Sequence, residues 1–308
     1  DKIASAQIEL NQLLEGVPDA VAGFPNVIQD VTGFGVGLKS HYAQSTPAVA
    51  GMRIRRFEEL DDLTCPEPAD SPQLKKTLDT ISQLHRRIGS EKIVLGACIA
   101  PFSLPSMLMG TAGWMRLLFT PELRKRYLRP LLDVCTEFVT RWANRQFQAG
   151  AHVVVLADGM ASATILPRAA FEEFALPVIR RTIERLDGYV GYEAVGRAEP
   201  FVDRLAEVGA IALLIGEEDD IAHCKRLARD RVGLIGNVNN MKMRRWTPAR
   251  VELEAKRAIA AGKPGFGFVL ANQGPEIPFD VTLENIQALV QAVCKHGIYR
   301  PTAALTTV

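Results

Sequence analysis

An excess of either charge is missing from this chain: 36 lysines and arginines stand against 35 aspartates and glutamates. A balance this close offers no electrostatic attraction to nucleic acid or to an anionic membrane surface, so neither is expected as a partner. No apolar run approaches the length of a membrane span, and no secretory leader is read at Asp1. Cysteine is sparse and scattered: the five residues Cys65, Cys98, Cys135, Cys224 and Cys294 are odd in number and lack paired spacing. That argues against a disulfide framework and for a reducing, cytoplasmic setting. The dinucleotide fingerprint GxGxxG, the phosphate loop GxxxxGK[ST], the zinc motif HExxH and the nucleophile elbow GxSxG are all absent.

What is present is a regular alternation of strand and helix. Hydrophobic residues make up 47% of the chain, enough for an ordinary core. Short apolar runs at 20–24, 93–99, 153–157, 188–195, 210–216, 232–238 and 266–271 read as strands, and amphipathic stretches follow nearly all of them. Ser71 with Pro72, Thr120 with Pro121, and Thr247 with Pro248 mark helix starts, and Thr282 marks another. Pro130 predicts a break or kink inside the long helix that begins near Pro121. Residues 33–70, punctuated by glycine and proline, read as an excursion. Such an alternation predicts a parallel sheet. Seven strands with one more before the opening helix would close a (β/α)8 TIM barrel, with residues 1–308 as one domain and the first strand missing from the chain.

In such a barrel the carboxyl ends of the strands carry the chemistry. Those ends present Asn26, Gln29 and Asp30, then Ser103, Asp158, Tyr192 and Glu193, then Asn237, Asn239 and Asn240, then Gln273. Carboxylates and amides dominate. The five histidines (His41, His85, His152, His223, His296) all lie elsewhere. Asp158 and Glu193 are the candidates for acid and base work, although Asp158 also suits a cap or a brace across the rim. Burying Glu193 without a partner would be costly, which favours function there. The acidic run Glu217 to Asp220 reads as a solvated first turn of a helix.

The order of GACIAPFSLPSMLMG, HVVVLADGMASATILPRAAFEEFALP, LIGNVNN and TLENIQALVQAV resembles the uroporphyrinogen decarboxylase superfamily, and within it the corrinoid-dependent methyltransferase branch. The resemblance runs from about residue 1 to 297 and implies a single TIM barrel. It implies a methyltransferase working with a separate corrinoid-binding protein, methylcobalamin or another corrinoid as methyl carrier, and a small-molecule donor or acceptor, among which tetrahydrofolate is admitted. Members of that branch hold zinc through a His-x-Cys after the fifth strand and a Cys after the eighth. Here Glu193, Val195 and Gln273 stand at those positions, which implies a site without catalytic zinc. With the strand-end positions taken together, Asp158 and Glu193 are the expected catalytic residues, and Asp30, Asn26, Ser103, Tyr192, Asn237 and Gln273 the expected substrate-binding ones. The alternatives are a decarboxylase of the same fold and a non-catalytic barrel that binds a ligand or a corrinoid protein.

Overall fold

The computed structural model describes residues 2–40, 46–274 and 276–299; His41 lies outside them. Among the described residues the strands are β1 (Ala20–Ala22), β2 (Gly37–Lys39), β3 (Ala48–Ala50), β4 (Ile93–Ile99), β5 (Val153–Ala157), β6 (Tyr189–Glu193), β7 (Ala212–Leu214), β8 (Gly233–Val238) and β9 (Phe268–Asn272). Strands β2 and β3 form an antiparallel pair within the excursion. The other seven form one curled parallel sheet in the order β1-β4-β5-β6-β7-β8-β9, with helices packed on its outer face. This is the strand order of a (β/α)8 barrel, with β1 and β9 as the sheet's edges.

Strand side chains alternate between two faces, and register decides which face each one joins. In β5, Val154 and Leu156 are fully buried against the helices, whereas Val153 and Val155 are half-buried on the inner face. Pairing of Ala157 with Glu193 sets Glu193 on the inner face; pairing of Leu156 with Tyr192 sets Tyr192 toward the helices. From Glu193 the inner face continues through Leu214 to Ile235.

The helix starts follow the sequence in most places. The hydroxyls of Ser71, Thr247 and Thr282 accept bonds from Leu74, Arg250 and Asn285 N–H groups. Thr120 makes no such bond. The helical run is interrupted just ahead of Pro130: a wide turn at Arg124–Leu128 separates Pro121–Leu123 from Arg129–Gln148, and Pro130 stands in the first turn of the latter. The helical run after β5 is likewise divided, into Arg168–Ala170, a wide turn at Phe171–Ala175, and Leu176–Ile183. The run expected as a strand over 20–24 pairs only through Ala22, and the segment after it winds into a short helix at Val27–Phe34.

Candidate active site

Glu193 closes β6 and opens into a cleft of about 280 Å³, whose lining includes Val195, Leu214, Ile215, Asn240 and Gln273. Close backbone packing shapes this cleft. Gly216 lies so near Gly196 that a Cβ on it would come within 2.4 Å of the Gly196 carbonyl, and Gly196 itself has φ +113°. Glu193 is 4% exposed. Burial pushes its carboxyl up to about 7. Gln273 faces the same space. Its Oε1 accepts from Glu217 N–H at 2.8 Å, and its Nε2 has no partner among the described residues. The register therefore brings Glu193, Val195 and Gln273, from the ends of β6 and β9, to one small volume.

Asp158 goes the other way. It is sealed from solvent beneath the helix that follows β4. Ser103 Oγ donates to Asp158 Oδ1 at 2.5 Å, and Tyr192 Oη donates to Oδ2 at 3.0 Å. Ser103 Oγ in turn accepts from Met160 N–H at 2.9 Å. Burial raises the Asp158 carboxyl to about 6, with the two hydroxyl donors pulling it back. Asp158 N–H also donates to the Glu193 carbonyl at 2.7 Å, so the residue ties the ends of β5 and β6 together. Ser103 and Tyr192, expected to face substrate, belong to this sealed network instead.

Asp30 is fully buried as well. Its Oδ2 accepts from Ile99 N–H at 2.7 Å and its Oδ1 from Trp142 Nε1–H at 3.0 Å. Burial pushes its carboxyl up to about 8 against those two donors. Asn26 caps the Val27–Phe34 helix by accepting from Gln29 N–H. Asp30 thus serves the edge of β4, and Asn26 serves a helix end.

Asn237 lines a second hollow of about 230 Å³, together with Glu217, Asp219, Asn239 and Trp246. Its Nδ2 donates to the carbonyls of Gly216 and Asp219. Asp219 is not part of a solvated turn, as its acidic neighbourhood had implied. It is buried, and it accepts from the backbone N–H groups of Ala198, Glu199 and Gly216. The rest of the run behaves as expected: Glu218 and Asp220 are exposed, and Asp220 caps Ile221–Ala228. Gln146 and the Gly196–Gly216 contact escaped the sequence reading. Gln146 sits inside a long helical run with no local mark of its partner, whereas the two glycines could have been noted from their places just past the ends of β6 and β7.

The cleft does not suit zinc. A catalytic zinc site takes three protein donors. Val195 has no donor atom, and the Gln273 oxygen is already engaged by Glu217 N–H. Among the described residues no three of His, Cys, Asp and Glu stand together as metal ligands.

Comparison with known proteins agrees with this architecture. A methyltransferase from Methanosarcina mazei of known structure superposes with a TM-score of 0.86 at 21% identity, covering 96% of this chain and 85% of that one. A uroporphyrinogen decarboxylase of Aromatoleum aromaticum is 24% identical over 95% of this chain and 83% of its own length. The methylcobamide:CoM methyltransferase MtbA of Methanosarcina mazei is 26% identical over 74% of this chain and 67% of its own length. The family model for uroporphyrinogen decarboxylase (URO-D) matches residues 1–296, and the chain belongs to that family.

Proposed function

We propose that this protein is a corrinoid-dependent methyltransferase, moving a methyl group between a corrinoid-binding partner protein and a small molecule held in the Glu193 cleft. The observation that carries the reading is the convergence of Glu193, Val195 and Gln273 on one cleft, at the positions where the methyltransferase branch concentrates its chemistry. Relatives named as methylcobamide:CoM methyltransferases support it. A cleft of about 280 Å³ lies just below the size range of sites for drug-sized ligands. It takes a small molecule, and a corrin ring stays on its carrier at the mouth. The corrinoid supplies the cobalt that bears the methyl group.

The residues of this chain would orient the small molecule and manage its proton. Methyl transfer is an in-line displacement, so alignment accounts for much of the rate. Gln273 Nε2 is a free donor for orientation, and Asn237 holds the β7 and β8 ends in place. Glu193, poised near neutrality, gives or takes the proton at the atom that loses or gains the methyl group. Asp158 is a positioning residue in this scheme. It fixes the Glu193 backbone and the neighbouring Tyr192 ring, with Ser103 completing the network, while Asp30 and Asn26 hold the adjoining rim. No zinc step is invoked, because the donor set does not fit one.

A decarboxylase of the same fold is the second reading. Relatives named uroporphyrinogen decarboxylase align over 95% of this chain. Carboxylate-rich tetrapyrroles need cationic partners, however, and no lysine or arginine lines the Glu193 cleft.

The deciding assay mixes the protein with a methylated corrinoid carrier and candidate acceptors, including thiols and tetrahydrofolate, or a reduced carrier and methylated donors, including methoxylated aromatics and methylamines. Change in the cobalt–carbon absorbance is followed. Glu193→Gln is expected to lower kcat at saturating substrate by about 10²–10⁴-fold. Wild-type turnover in that variant would remove Glu193 from the mechanism, and carbon dioxide release from a porphyrinogen would favour the second reading.

A further inference from the structure

The buried acids of this protein are not equivalent. Asp30 accepts two hydrogen bonds, Asp158 accepts two from hydroxyls, and Asp219 accepts three backbone N–H groups. Glu193 is as deeply placed, yet among the described residues its carboxyl has no hydrogen-bond or ion-pair partner, and burial is the sole influence on it. Its oxygens are not among the sealed, orphaned polar atoms, so they reach the cleft. An acid left in this state costs free energy that a partner from outside would recover.

The cleft indicates what that partner carries. Val195, Leu214 and Ile215 make its walls apolar, and neither lysine nor arginine lines it. Asn240 Nδ2 gives one N–H to the Glu276 carbonyl at 2.6 Å, and among the described residues its oxygen has no hydrogen-bond partner. Gln273 Nε2 has no partner among the described residues, and like Asn240 it is a neutral amide. The open groups are thus neutral amides and one ionisable acid, Glu193, set in apolar surroundings with no cationic side chain. We propose that the cleft recognises a small organic ammonium, seated with its N–H against Glu193 and its methyl or methylene groups against Val195, Leu214 and Ile215. The inference rests on reading this cleft as the substrate site. An anionic thiol or a polycarboxylate would meet Glu193 without any cation to offset it.

The test is binding, measured without methyl transfer. Isothermal titration of the full chain at neutral pH compares trimethylammonium, tert-butanol as a neutral molecule of similar shape, and mercaptoethanesulfonate as an anionic thiol. Trimethylammonium is expected to bind at least tenfold more tightly than either, and Glu193→Gln to abolish that preference while leaving the circular dichroism spectrum unchanged. Equal affinity for tert-butanol, no binding of the ammonium, or full ammonium affinity in Glu193→Gln would overturn the proposal. If Glu193→Gln does not fold, the wild-type selectivity alone decides. A protein that binds ammonium but transfers no methyl group overturns the functional reading and leaves the ligand class standing. One that methylates a thiol but ignores ammonium does the reverse.

Discussion

Two carboxyls at neighbouring strand ends, Asp158 and Glu193, have opposite fates. Asp158 is held by two hydroxyl donors, and one of these, Ser103, also accepts from Met160 N–H. Removing a partner from a buried charged group leaves a desolvation cost unrecovered. Ser103→Ala takes a donor from Asp158 and an acceptor from Met160 N–H, so a loss of about 1–3 kcal/mol is expected in urea denaturation. Tyr192→Phe should cost less, because only one bond goes. The double variant should lose an amount different from the sum of the two, since both hydroxyls serve one carboxylate. Simple additivity would mean that the network does not act as a unit.

At the scale of the element, the short β1 explains the placement of Asp30. Strand β4 runs to Ile99, but β1 pairs with it only through Leu95. Beyond that point the backbone groups of Ala97 and Ile99 on the β1 side have no strand to bond. Two side chains stand in for one. Gln146 Oε1 accepts from Ala97 N–H at 2.9 Å and its Nε2 donates to the Ala97 carbonyl at 3.0 Å, while Asp30 accepts from Ile99 N–H. The fit is tight: a Cβ on Gly96 would lie 2.3 Å from Gln146 Oε1. Unsatisfied buried backbone groups are costly, and this arrangement avoids them. Gln146→Leu, of similar volume but without the amide, should therefore destabilise the protein by about 2 kcal/mol or more. It should also raise hydrogen exchange at Ala97 selectively; unchanged protection there would show that the strand edge does not depend on Gln146.

For the whole molecule, the acids fall into two groups with opposite pH behaviour. Asp30, Asp158 and Glu193 are raised by burial to about 8, about 6 and about 7. Between their unfolded values near 4 and these folded values, the native state binds more protons than the unfolded chain, so stability falls as pH rises. Surface acids such as Glu137, Glu252 and Asp280 are held low, chiefly by hydrogen bonds from arginine or lysine, and lose their contribution only as pH falls below about 4.5. His152, lowered by burial and by His85, contributes stability above about 6.5 that is lost as pH falls, which opposes the buried acids. Three acids outweigh one imidazole. The urea midpoint should peak near pH 5 and decline toward pH 8.5. In Glu193→Gln the decline between pH 5 and pH 8 should be shallower; an unchanged slope would mean that Glu193 ionises in the fold as easily as in the unfolded chain.

The alternation of apolar runs and amphipathic stretches, with serine, threonine and proline at the helix starts, was enough to read the barrel order and most helix starts from the amino-acid sequence. Those signals are local: period, cap and breaker lie within a few residues of one another. The order of short motifs along the chain was likewise enough to indicate the family. Which polar strand ends share a cavity was decided only by the tertiary structure. Adjacent positions on a strand face opposite ways, so a one-residue difference in pairing exchanges the cleft for the helix layer. The register of β5 against β6 turns Glu193 inward and Tyr192 outward, and Asp158 joins Tyr192. The same logic assigns Asp30 to a bare strand edge, because the end of β1 is set by pairing across the sheet, which no run of neighbouring residues records.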